Sequence, residues 1–203
     1  MIVIGIVGGI ASGKSVVADC FRELGAVVLD ADRAGHEALR ESDVVARARE
    51  RWGDVVFDAQ GHIDRRKLAP IVFAPPPKGL QELAFLEELT HPKIERVLSE
   101  RIEQAAADDG VRAVVIDAPL LFEIGLDALC DKIVYVDCPR AARLSRALRR
   151  GWTEEDFAAR ENAQLSTRAK RERSDAVIDT QGTKEQAKAQ VNALWSTMGG
   201  WRR

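Results

Sequence analysis

The stretch Gly8-Gly9-Ile10-Ala11-Ser12-Gly13-Lys14-Ser15 carries the clearest chemistry in this chain. It reads G-x-x-x-x-G-K-S, the spacing of a phosphate-binding loop. Glycines let backbone N–H groups approach phosphate oxygens with no Cβ in the way. A helix starting directly behind them adds the partial positive charge of its N-terminus. Lys14 is placed to reach the β- and γ-phosphates of a nucleotide, and the Ser15 hydroxyl to ligate Mg²⁺.

Further along, carboxylates recur where strands should end. Asp30 and Asp32 follow an apolar run, and Asp117 closes another. In open α/β sheets ligands bind beyond the carboxyl ends of the strands, so these groups are expected beside the phosphate loop. Asp32 is the candidate catalytic carboxylate. Asp30 could equally cap the next helix, and Asp117 suits Mg²⁺. A basic cluster, Arg65, Arg66 and Lys67, is either a solvated face or a site for an anionic substrate. Arg143, Arg146 and Arg150 share one face of a helix that also carries Arg140 and Arg149. Arginine forks bind phosphate oxygens bidentately and never lose charge. A lid that brings arginines over the phosphates is therefore expected, with Arg143, Arg146 and Arg149 as catalytic candidates; a charged surface hairpin is the alternative.

These groups need elements to position them. Residues 2–7 form a short β-branched apolar run, expected as a buried strand. Residues 15–24 have apolar residues at helical spacing, with Gly25 as a stop. Strands are expected again at 26–29, 112–117, 132–137 and 175–179, and helices at 44–49, 64–73 and after Pro139. Residues 54–61 read as an extended piece and a turn, and Pro75 to Pro77 as a rigid extended loop. Pro92 is expected to open a helix whose apolar face is Ile94, Val97, Leu98, Ile102, Ala105 and Ala106. Thr153 to Asp156 reads as a helix start, with Arg160 and Gln164 one turn apart on that helix. Thr183 and Gln186 form a possible capping box for a closing helix lined by Ala187, Val191, Leu194, Trp195 and Met198, before a frayed tail at 199–203. Strand–helix alternation fails from 34 to 110, so a helical insert is expected there.

Composition narrows the class further. The chain has 203 residues, enough for one α/β core with inserted parts. Net charge is −2, so no global basic footprint points to nucleic acid. The cysteines, Cys20, Cys130 and Cys138, make no C-x-x-C pair, which argues against a zinc site or a disulfide framework and favours a reducing compartment. The chain opens on a strand, without a basic segment and signal-type apolar region, and no apolar run approaches the ~20 residues of a membrane span. A cytoplasmic protein is expected, without membrane or nucleic-acid partners.

Together the motifs are similar to those of the dephospho-CoA kinase family. The matches run in family order: the phosphate loop, Asp30-Ala31-Asp32, residues 64–73, His91-Pro92, Asp117-Ala118-Pro119-Leu120-Leu121-Phe122-Glu123, Arg160 with Gln164, and Val177-Ile178-Asp179 with Gly182. Val16 stands where the family usually has Thr, Thr180 replaces the usual Asn, and the arginine spacing from 143 to 150 differs from the commonest form. The resemblance implies an α/β P-loop NTPase fold of three layers with a parallel sheet, a helical substrate-binding insert and a helical lid. It implies a core at 1–33, 111–138 and 174–200, a CoA-binding insert at 34–110 and a lid at 139–173. It also implies transfer of the ATP γ-phosphate, with Mg²⁺, to the ribose 3′-hydroxyl of 3′-dephospho-CoA. ATP would lie against Gly9, Ile10, Ala11, Ser12, Gly13, Lys14, Ser15, Val16 and Thr180. Mg²⁺ would be held by Ser15 and Asp117, and the acceptor by Asp32 as base with Arg65, Lys67, His91, Pro119, Leu120 and Phe122. The expected assembly is a monomer or small homo-oligomer.

Two other readings are weaker. Another small-molecule P-loop kinase would share loop and lid but not His91-Pro92 together with Pro119-Leu120-Leu121-Phe122-Glu123. A GTPase switch would need the guanine-reading N-K-x-D, and neither Asn162 nor Asn192 precedes a lysine.

Overall fold

The computed structural model describes residues 1–197; the expected end of the closing helix at Met198, the core boundary at 200 and the tail lie outside the described residues. The elements run β1 (Ile2–Gly8), α1 (Lys14–Glu23), β2 (Val27–Asp30), α2 (Ala31–Ala38), α3 (Ser42–Trp52), α4 (Arg65–Val72), α5 (Lys78–Ala106), β3 (Ala113–Asp117), β4 (Lys132–Asp137), α6 (Arg140–Arg149), α7 (Glu154–Asn162), α8 (Thr167–Glu172), β5 (Ala176–Asp179) and α9 (Lys184–Thr197). The strands form one 5-stranded sheet in the order β2-β3-β1-β4-β5, and every pairing is parallel.

A central parallel strand is covered on both faces, so it is apolar throughout instead of alternating. β1 follows this rule, being buried along its whole length. Its Ile2, Ile4 and Ile6 join Val17 and Phe21 of α1, and Val191 and Trp195 of α9, in one core. On the opposite face Gly5 meets Leu121 and Cys130 so closely that a Cβ there would lie 2.9 Å from each. The fold is thus α/β in three layers. Cys20, Cys130 and Cys138 are free thiols, and burial beside Asp127 and Asp131 pushes the Cys130 thiol up to about 12.

The chain divides into two compact units. One is Met1–Asp30 with the chain from Arg101 onward; the other is Ala31–Glu100. The second unit contains no strand among its described residues. Its core gathers Ala48, Val56, Phe57, Leu68 and Val72 from α3, α4 and the turn between them. Asp64 caps α4, its carboxylate accepting from the Arg66 N–H at 2.8 Å.

Several elements depart from the sequence expectation. Pro92 does not open a helix; it sits inside α5, a helix of 29 residues. A proline withholds only its own N–H from the carbonyl four residues back, and buried Ile94 and Leu98 beyond it keep the helix anchored. The start of residues 54–61 is a 3₁₀ turn, Gly53–Val56, followed by a bridge between Phe57 and Ile63. The triple proline forms turns and not an extended loop. α7 ends at Asn162, so Gln164 lies beyond the helix that carries Arg160, and α8 follows where no helix is expected. The caps at Thr153 and Thr183 form as their spacing predicts.

Candidate functional site

β1 delivers the chain to the phosphate loop and α1 takes it away. Gly8 pairs in register with Val136 of β4. A Cβ on Gly8 would lie 2.7 Å from the Val136 carbonyl and 2.7 Å from Ser12 Oγ, so the loop can start there only on glycine. Gly13 takes a left-handed conformation, φ 99°, as the N-cap of α1. Ala11, at φ 58°, takes one too, a cost that a non-glycine residue bears at the tip of a tight binding loop. Val16 and Val17 N–H groups both return to the Gly13 carbonyl, at 3.0 and 3.3 Å. The N–H groups at the start of α1 have no carbonyl one turn earlier in the helix and define an anion-binding end. Lys14 arches back over the loop, its Nζ donating to the Gly8 and Gly9 carbonyls, each at 3.4 Å. Ser15 is exposed on the first turn of α1, and Ser12 is buried.

Two arginines of α6 grip this loop from behind. Arg146 donates to the Ser12 carbonyl at 2.9 Å and to the Thr180 carbonyl. The Thr180 hydroxyl donates to the same Ser12 carbonyl at 2.5 Å and to that of Asp137 at 3.0 Å, joining the end of β5 to the loop. The Arg143 side chain is only 5% exposed. It donates to the carbonyls of Cys138 at 3.1 Å and Ile10 at 3.4 Å, and to Glu161 Oε1 on α7 at 2.6 Å. Burial pushes the Glu161 carboxyl up, but hydrogen bonds and charge from Arg140 and Arg143 outweigh it, so the group lies below its ordinary value. Arg149, the third lid candidate, stays on the exposed side of α6, with its Nε directed to the Ser145 carbonyl at 3.4 Å.

At the sheet edge, Asp117 stands in register with Ile6 of β1 on one side and with Asp30 of β2 on the other. Two strand-end carboxylates thus lie on neighbouring strands, one of them beside the strand that opens the loop. Ser15 and Asp117 offer a hydroxyl and a carboxylate. These hard oxygen donors fit Mg²⁺, which is characteristically held by one or two side chains with substrate phosphates and water. Past Asp117 the chain runs through half-buried Pro119 and exposed Leu120 to buried Phe122, over whose ring the Arg173 guanidinium sits at 3.9 Å.

The remaining candidates belong to the second unit. Asp32 is exposed in the first turn of α2, two residues past the end of β2. Arg65 contacts His36 and lines a groove of about 730 Å³ whose floor is Leu39, Ile63, Leu68, Val72 and Leu86. Lys67 turns instead to the Phe57 carbonyl, at 2.6 Å, and His91 is half-buried within α5. The Asp58 carboxyl at the groove is held below its ordinary value, chiefly by the backbone N–H of His62.

Sequence reasoning passed over two groups, Glu161 and Lys170. Each lies in a run of charged helical residues that reads as solvated, and only the long-range partner reveals the role.

A G-x-x-x-x-G-K-S loop rising from the central strand of an all-parallel sheet, with arginines of a later helix closed on its carbonyls, defines a P-loop kinase of the small-molecule type. Among the described residues no helix is long and apolar enough to cross a membrane. The chain belongs to the dephospho-CoA kinase family, whose model matches residues 2–186. It is 40% identical over 198 residues to the dephospho-CoA kinase of Bacillus licheniformis, covering 97% of this chain and 96% of that one. A crystal structure from Thermus thermophilus superposes with a TM-score of 0.81 at 32% identity, covering 97% of both chains. Dephospho-CoA kinase from Campylobacter jejuni matches with a TM-score of 0.73, covering 98% of this chain and 97% of that one; at 22% identity this likeness concerns the fold.

Proposed function

We propose that this chain transfers the γ-phosphate of ATP to the ribose 3′-hydroxyl of 3′-dephospho-CoA, giving CoA and ADP in the last step of coenzyme A synthesis. One observation carries the reading: a chain that belongs to the family over residues 2–186 folds its G-x-x-x-x-G-K-S loop into an anion-binding strand–helix turn. In this reading the loop from Gly9 to Val16 lies against the nucleotide phosphates, and Lys14 leaves its loop carbonyls for the phosphate that is transferred. Arg143 and Arg146 hold the loop in shape, and Arg149 is the lid arginine with freedom to swing toward the phosphates. Thr180 borders the nucleotide. Asp32 accepts the proton of the ribose hydroxyl as the oxygen attacks phosphorus. Ser15 and Asp117 hold Mg²⁺, which would neutralise charge on the phosphates. The acceptor lies among Arg65, Lys67, His91, Pro119, Leu120 and Phe122. The groove beside Arg65 supports this by pairing an apolar floor with positive charge, as an acceptor with a phosphate-bearing head and a long amide-containing arm requires.

The same reading gives a cytoplasmic enzyme acting on small molecules, without nucleic acid or membrane, as a monomer or small homo-oligomer. The test is an ATP-dependent assay with dephospho-CoA beside AMP, CMP and adenosine. Dephospho-CoA should have the highest kcat/KM, with the new phosphate on the 3′-oxygen. A higher value for any of the others would reassign the enzyme to a different acceptor.

A further inference from the structure

Lys170 is fully buried, although it lies in a short helix of charged residues. Its Nζ donates to the Pro119 carbonyl at 2.7 Å and to Gln164 Oε1 at 3.4 Å, and lies 2.9 Å from Glu123 Oε1. The same Glu123 oxygen accepts from the Leu165 N–H at 2.7 Å. One ammonium and one carboxylate therefore fasten the segment after β3 to the segment between α7 and α8. Stripping water from an ammonium is costly, and apolar side chains would join two packed segments at least as well. What the charged pair adds is register, because each N–H must meet its own oxygen.

Both ends of this tie matter. Pro119 follows two residues after Asp117, the strand-end carboxylate beside β1. One helical turn before Lys170, Thr167 lies on the phosphate loop: a Cβ placed on Gly9 would be 3.0 Å from the Thr167 methyl. A single turn of α8 thus touches the nucleotide loop at one end and the segment carrying Pro119, Leu120 and Phe122 at the other.

We propose that Lys170 is a positioning residue that couples the two substrates: nucleotide bound at the Gly9 end sets the Pro119 segment for the acceptor, and the acceptor strengthens nucleotide binding in return. The coupling rests on the kinase reading above, with the Pro119 segment on the acceptor side. Reciprocity is required of any such coupling.

Titration calorimetry on the full-length protein tests it. Dephospho-CoA affinity is measured with and without a non-hydrolysable ATP analogue, in wild type and in Lys170→Met. In wild type the analogue should tighten dephospho-CoA binding on the order of tenfold. In Lys170→Met the factor should fall to roughly twofold or less, with each ligand alone bound about as in wild type. A purely structural residue would weaken both ligands and lower Tm while leaving the factor intact. That result, or a wild type with no coupling, overturns the proposal. If Lys170→Met does not fold, Glu123→Gln serves, since it removes the charge pair and keeps the bond to the Pro119 carbonyl; unchanged coupling there refutes the idea as well. Wild-type protein that fails to phosphorylate dephospho-CoA sinks the kinase reading, whereas normal turnover with unaltered coupling sinks this inference alone.

Discussion

Replacing Glu161 by Gln removes the charge facing Arg143 and keeps nearly the same shape. The pair is tight, 2.6 Å, and the Arg143 side chain is 5% exposed while that of Glu161 is 24% exposed. Breaking a fully buried pair by removing one partner costs ~3–5 kcal/mol. Partial exposure of Glu161 and the carbonyl that Gln retains reduce this to about 2 kcal/mol. Arg140, itself 51% exposed, adds little. For a chain of this length about 2 kcal/mol corresponds to a Tm loss of ~4–8 °C. The pH dependence supplies a second check. The Glu161 carboxyl lies below its ordinary value of 4.5, so its contribution is complete above that pH and is lost as pH falls through the folded value. The gap between wild type and Glu161→Gln should therefore be constant from neutral pH down to about 5 and narrow progressively as pH falls below 4.5. Arg143 also donates to the Ile10 carbonyl, so the variant should raise KM for ATP as the loop loosens. Calorimetric melts between pH 4 and 8, with steady-state kinetics on the same preparations, measure all three effects. A Tm within a degree of wild type at pH 7, or a gap that persists unchanged at pH 4, would refute the role given to this pair.

Lys14→Ala should leave the fold intact, because its bonds to the loop carbonyls are long at 3.4 Å, while kcat falls by ~10³, the scale of one preorganised donor to transition-state charge. Near-normal turnover in folded protein would remove Lys14 from the reaction. Asp32→Asn keeps size and most hydrogen bonding but cannot take a proton, so kcat should drop by roughly 10²–10⁴ with ATP binding little changed. Survival of kcat within a few-fold, read alongside calorimetry for ATP, would pass the base role to Asp117.

Local chemistry made much of the fold legible in the sequence. The β-branched run of β1, the glycines at 8 and 13 and the helical spacing after Lys14 encode a strand–loop–helix turn within a few residues. The caps at Thr153 and Thr183 were readable for the same reason, since donor and acceptor lie three residues apart. The apolar run of β1 indicated a buried strand, which the structure places at the centre of the sheet.

Tertiary structure decided what depends on distant partners. Helical periodicity says which face is apolar but not what covers it, so a proline that looked like a helix start proved to be interior to α5, where packing on both sides sustains the helix. The arginines of α6 were visible as a basic face, but only the fold shows Arg143 and Arg146 turned to backbone carbonyls of a loop more than 130 residues earlier, with Arg149 left in solvent. Lys170 is the clearest case. In sequence it is one charge among Arg168, Arg171 and Arg173, and its burial depends on Pro119 and Glu123, about fifty residues away, which with Gln164 supply the oxygens that replace its water. A residue's intrinsic polarity is local information. Whether the chain can meet the cost of burying it is settled only where distant segments converge.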